Sequence, residues 1–135
     1  MQTLPADQIL DGLSTAVLLV ELDGSAHYVN GAAQILLATS AERVRGRRTD
    51  ELLGIGAPLQ AALAATGESR STTLRELTLK QSIDGHALVV DCTVSPFGWV
   101  GDRELALVEL VRVDHLSRFT LETRSQERHA VSTML

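Results

Sequence analysis

Along this chain, stretches in which apolar residues return every second position alternate with stretches in which they return every three or four, and the switches in period mark out the elements. Leu4-Pro5 followed by Ala6 to Leu13 reads as a short helix. Proline suits a first helical turn, and Ile9, Leu10 and Leu13 fall on one stripe before Gly12 and Ser14 end it. Residues 16–22 form a strand, and Asp23-Gly24 predicts a hairpin of type I′, because both central positions of that turn need positive φ. Residues 26–29 return as the partner strand. Asn30 then offers an N-cap to a helix whose apolar side is Ala32, Ala33, Leu36 and Leu37. Thr39-Ser40-Ala41-Glu42 predicts a capping box in which Thr39 bonds the amide of Glu42, and Thr49-Asp50-Glu51 repeats the start signal with two acidic side chains at the positive end of a helix. Residues 59–65 continue as a helix that Gly67 stops, so three or four short helices are expected between residues 30 and 66.

The second half changes period. Leu74, Leu77 and Leu79 mark a strand, Asp84-Gly85 predicts another hairpin turn, and Leu88, Val90, Cys92 and Val94 then alternate with Ala87, Val89, Asp91 and Thr93. Pro96, Gly98, Gly101 and Asp102 predict a connecting loop, and residues 105–113 the last strand. From Asp114 to Leu135 the composition turns polar, with Asp114 placed to cap a helix whose seam of Leu116, Phe119, Thr123, Ala130 and Met134 is ragged.

Composition narrows the function. A chain of 135 residues fits one domain. With a net charge of -5 and its basic residues scattered apart from Arg43, Arg45, Arg47 and Arg48, it offers no face suited to a phosphate backbone, so nucleic acid is not an expected partner. A single cysteine excludes an internal disulfide and a multi-cysteine zinc site. The longest apolar run, Ala16 to Val20, is far short of a membrane span, and the first residues do not read as a signal peptide; a cytoplasmic protein without a membrane partner is expected. Aromatic residues make up only 3% of the chain, which leaves few rings to stack on a flavin or a nucleobase.

Two strands, a cluster of short helices, a three-strand meander and an exit helix follow the order of a PAS domain. The stretch ILDGLSTAVLLVELDGSAHYVNGAAQILLATSAERVRGRRTDELL, residues 9–53, resembles the sensor end of the nitrogen-regulation histidine kinases, the NtrB family. The positions that carry the resemblance are Ile9, Leu10, Leu13, Val17, Leu18, Leu19, Tyr28, Asn30, Ala32, Ala33, Leu36, Leu37, Ser40, Gly46, Leu52 and Leu53; SIDGHALVVDCTVSP and LALVELVRVDH resemble the later strands more loosely. The resemblance implies an α+β chain with the PAS fold: a five-stranded antiparallel sheet with short helices on one face, an N-terminal helix at 1–14, the sensor domain at 15–113 and an exit helix at 114–135 leading to a kinase dimerisation domain. It further implies a homodimer and, for a full-length kinase, a response regulator and a PII-type signal protein as partners. The catalytic parts of such a kinase are not in this sequence. His129 is followed by Ala130, Val131 and Ser132 rather than by the H-E-x-x-N-P context of a phospho-acceptor, and no D-x-G-x-G nucleotide segment is present, so no enzymatic activity and no catalytic residue are expected.

Each remaining candidate has a plain structural reading. Cys92 alternates with Val90 and Val94 as a core residue and lacks the context of a flavin-adduct cysteine. The helical segment 57–66, from which haem-binding relatives take their ligand, has no histidine, while His27 and His86 fall beside hairpin turns. Gly54-Ile55-Gly56 lacks the third glycine and the preceding strand of a phosphate loop. Arg43 to Arg48 reads as a solvated helix edge. No cofactor and no metal are therefore expected. Tyr28 and Asn30 are read as structural: Asn30 caps a helix, and Tyr28 buries its ring with the hydroxyl outward. Ile9, Leu10 and Leu13 are the expected dimer interface, since the last strand is apolar on both faces and the helix cluster can cover only one; the alternative is that the helix folds back on its own sheet and leaves a monomer. The expected role is a sensory module of a kinase controlling nitrogen-responsive transcription, which dimerises and transmits a state through its exit helix; the alternative is a receptor with a small metabolite between sheet and helices. The contents of that space discriminate between them.

Overall fold

The computed structural model describes residues 6–80 and 87–113; the Asp84-Gly85 turn and the exit segment from Asp114 lie outside them. The elements run α1 (Ala6–Asp11), β1 (Ala16–Glu21), β2 (Ala26–Val29), α2 (Gly31–Leu36), α3 (Ala41–Val44), α4 (Thr49–Leu53), α5 (Ala57–Gly67), β3 (Thr72–Lys80), β4 (Ala87–Val100) and β5 (Arg103–Arg112). The strands form one antiparallel sheet in the order β2-β1-β5-β4-β3, so the first and last thirds of the chain meet in the middle of the sheet.

Alternation along the strands sorts the side chains onto two faces. Leu18 and Val20 of β1, Val90, Cys92 and Val94 of β4 and Val108 of β5 point to one face, and none of them is exposed. Helices α2 to α5 lie over that face and contribute Ala33, Val44, Leu53, Leu59, Ala62 and Leu63. A second, smaller cluster sits on the opposite face: Leu10 of α1 packs with Val17, Leu19 and Leu105, flanked by Tyr28 and Leu107. The helix α1 therefore folds back over its own sheet.

Several local expectations are corrected. The β1–β2 turn is not type I′. The Gly24 amide donates to the Glu21 carbonyl at 2.8 Å and the Glu21 amide to the Ser25 carbonyl at 2.9 Å, which puts Leu22 and Asp23 at the turn centre and leaves only Gly24, at φ +103°, in the left-handed region. Asp23 instead accepts from the Ser25 amide at 2.8 Å, and this bond, more than any other influence, holds its carboxyl below the usual range. The cap of α3 is Ser40, whose hydroxyl accepts from the Arg43 amide at 3.3 Å, one residue later than the Thr39 pairing expected.

The expected loop at Pro96–Gly98 is strand. β4 continues to Val100, pairing with β5 throughout and absorbing one extra residue between Pro96 and Gly98. Proline is tolerated there because β3 pairs with β4 only as far as Val94, so the amide that Pro96 lacks would have faced an open edge. The uneven spacing of Leu74, Leu77 and Leu79 has a similar cause. A bulge with Glu76 at φ +55° sets three residues of β3 against two of β4, the Glu76 amide donates to Asp91 Oδ1 at 2.9 Å, and all three leucines stay on the core side.

The free edge of β2 is covered by residues 46–49. The Ala26 amide donates to the Arg47 carbonyl at 2.8 Å, the Gly46 amide to the Ala26 carbonyl at 2.9 Å and the Thr49 amide to the Gly24 carbonyl at 2.8 Å. This docking buries Thr49 completely, and its hydroxyl finds no partner among the described residues. An unpaired buried hydroxyl is a cost that an isosteric methyl removes, so Thr49→Val should leave the protein as stable or raise its stability by about 1 kcal/mol. Thermal unfolding followed by far-ultraviolet circular dichroism measures this, and a clear drop in the midpoint would contradict it.

Candidate functional site

Asn30 is fully buried where β2 ends and α2 begins, and its side chain uses all four of its hydrogen-bonding positions. Its Oδ1 accepts from the amides of Ala33 and Val17, each at 2.9 Å, and its Nδ2 donates to the carbonyls of Leu10 and Thr15, each at 2.8 Å. The backbone adds two more bonds, from the Asn30 amide to the Val17 carbonyl and from the Gln34 amide to the Asn30 carbonyl. The expected N-cap is present, and one side chain also ties α1, the start of β1 and α2 together. Asp11 reinforces the joint by accepting from the Gly31 amide at 3.2 Å. Nothing in the local pattern marked Asp11 or the carbonyls of Leu10 and Thr15, because their partner is about 15 to 20 residues away along the chain.

Of the residues singled out in the sequence, the fold brings three together. Leu10 plugs the outer-face cluster, the ring of Tyr28 packs against that cluster, and Asn30 holds the carbonyl of Leu10. Ile9 and Leu13 do not join them and are about half exposed. The stripe expected to present three residues to a partner thus presents two, and Leu10 serves its own chain.

The space between sheet and helices is occupied by side chains. Leu18, Leu53, Leu59, Val90, Val94 and Val108 meet there with no exposed surface. Cys92 lies among them. Burial pushes its thiol up to about 11, so at neutral pH it carries almost no thiolate and has no access to reagents. A disulfide-exchange reagent should label it only after unfolding, and stoichiometric labelling of the native chain within minutes would refute this.

Outside the core, an open groove of about 830 Å³ runs past the β1–β2 hairpin to the β4–β5 turn, lined by Leu19, Glu21, His27, Tyr28, Phe97 and Arg103 among others. Glu21 pairs with Arg103 across β1 and β5 and lies 3.8 Å from His27 Nδ1; the same pairing raises the Arg103 guanidinium. Asp23 and Arg45 also line the groove, so its wall sets charged groups beside the apolar Leu19, Tyr28 and Phe97. Among the described residues no group of three His, Cys, Asp or Glu could hold a metal ion, and no helix is long and apolar enough to cross a membrane. Arg43, Arg45, Arg47 and Arg48 are all exposed.

The sheet order, the helices over one face and the capped turn into α2 are the features by which a fold family is told apart, and the family model described as PAS fold matches residues 6–112. The chain belongs to the PAS family. This PAS domain is similar to the sensory histidine kinase/phosphatase NtrB of Klebsiella oxytoca, 37% identical over 136 residues that cover 95% of this chain and 35% of that protein. It is likewise similar to NtrB of Vibrio alginolyticus, 27% identical over 135 residues that cover all of this chain and 38% of the relative. The chain thus spans little more than a third of the curated relatives it matches. Among solved structures, the PAS domain of nitrogen regulation protein NR(II) from Vibrio parahaemolyticus superimposes with a TM-score of 0.68 at 28% identity, covering 82% of this chain and all of the other. A PAS domain of an HTR-like protein from Haloarcula marismortui shares the fold at a TM-score of 0.66 and 16% identity, over 79% of this chain and 93% of that one.

Proposed function

We propose that this PAS domain is the sensory and dimerisation module of a two-component histidine kinase that serves nitrogen-responsive control, and that it passes its state onward through the segment after β5. The observation that carries the choice of transmitter over receptor is the filled interior. A small-molecule site is a cavity with a few convergent polar groups, whereas here aliphatic side chains occupy the space under the helices. Similarity to NtrB over nearly the whole chain supports the kinase context and with it a cytoplasmic location and a response regulator as the downstream partner; a PII-type protein as the source of the signal is part of the same proposal. In this reading the catalytic work belongs to parts of the kinase beyond this domain.

The homodimer belongs to the same reading, with a revised interface. Leu10 is already used within the chain, so the partner-facing residues are the exposed Ile9 of α1 and Leu13 just after that helix. Native mass spectrometry of the purified chain tests both points at once. A dimer with no added mass is expected, and Ile9→Asp, at an exposed position, should shift it to monomer while leaving the circular dichroism unchanged. A co-purifying small molecule would favour the receptor instead, and a monomeric parent at tens of micromolar would remove the dimer.

A further inference from the structure

Where β5 leaves the sheet, an apolar groove of about 400 Å³ lies open between α2 and the end of that strand. Ala16 and Leu110, paired across β1 and β5, line it together with Ala32, Ile35, Leu36 and Val111. Single exposed aliphatic residues are ordinary on a protein surface. Here two of them share one groove: Ile35 is 83% exposed and Val111 56%.

The chain itself leads to an occupant. The described backbone ends at Val113, whose amide donates to the Val89 carbonyl at 2.9 Å, and Leu110, Val111 and Arg112 already form part of the groove's wall. The residues that follow begin at its mouth. Their large apolar side chains are concentrated at Leu116, Phe119 and Leu121, after which residues 122–130 hold nothing apolar larger than alanine. Leu116 is three residues beyond Val113 and so stays within about 10 Å of it.

We propose that this groove is the seat of the chain's own continuation, with Leu116 and Phe119 covering Ile35 and Leu36. The seat adjoins α2, the helix whose first turn is capped by Asn30 and pinned to the end of α1. The inference does not depend on the kinase reading and stands whether or not the chain dimerises.

Limited trypsin digestion of the whole chain, read by mass spectrometry, tests it. Arg118 lies between the two docking residues and Arg128 beyond them. After normalisation to a synthetic peptide of residues 112–135, cleavage at Arg118 should be slower than at Arg128 by about tenfold or more, since cleavage follows the released population. Ile35→Asp should bring Arg118 up to the rate of Arg128 without moving the unfolding midpoint of the core, and Phe119→Asp should do the same from the other side of the contact. Equal rates at the two sites in the parent chain would overturn the proposal, as would protection of Arg118 that survives both substitutions. Protection that disappears on dilution would also overturn it, because the occupant would then be a second copy.

Discussion

Asn30→Ala should lower the unfolding free energy by about 3–5 kcal/mol, a large share of what a domain of this size possesses. The substitution removes four side-chain hydrogen bonds at a fully buried position and strands the amides of Val17 and Ala33 and the carbonyls of Leu10 and Thr15. Asn30→Asp separates the two halves of the effect. A carboxylate keeps both acceptor bonds but sets its other oxygen against two carbonyl oxygens, so the folded state favours the protonated acid and its pKa there lies above the unfolded value. The stability of the Asp variant relative to the parent should be highest below about pH 4 and fall as pH rises from there towards the folded pKa. Urea unfolding of the three proteins followed by circular dichroism at acid and neutral pH gives the comparison. Losses below about 1 kcal/mol for the alanine variant, or a pH-independent aspartate variant, would show that the joint does not bear on stability as its geometry implies.

Leu59→Ala should cost about 2–4 kcal/mol and should also change what the interior can hold. Leu59 projects from α5 into the main cluster with no exposed surface, and its truncation leaves an apolar void. Dry voids of that kind accept small apolar molecules. Benzene at saturation should therefore raise the melting temperature of the variant and leave the parent unchanged. If the parent gains as much as the variant, its interior already has room for a ligand, and the receptor reading would displace the transmitter.

The fold was legible because its devices are local. The β1–β2 hairpin, the asparagine before a small-residue helix and the strict alternation from Ala87 to Val94 each leave a mark within ten residues, although the hairpin's turn centres on Leu22-Asp23 rather than on Asp23-Gly24. What was not legible depends on distance or on a choice between neighbours. Thr39 and Ser40 are equally able to cap α3, and only the backbone path into the helix selects Ser40. The stripe of Ile9, Leu10 and Leu13 reads as one face, yet α1 ends at Asp11, and the side that turns inward is decided by the carbonyl of Leu10 meeting Asn30, 20 residues later. Glu21 and Arg103 are 82 residues apart and meet only because β1 and β5 are neighbours in the sheet. Pro96 reads as a break until the end of β3 pairing shows that no bond was lost there.

Residues 46–49 lie along the outer side of β2 and occupy the Ala26 amide and carbonyl, while β3 at the other end of the sheet has no further strand beside it among the described residues. A chain with one closed margin and one open one can add a single neighbour by backbone pairing, since open-ended stacking of sheets needs two free margins on every copy. Strand addition would therefore stop at a pair. A mutation that loosens the 46–49 segment would open a second margin and remove that limit.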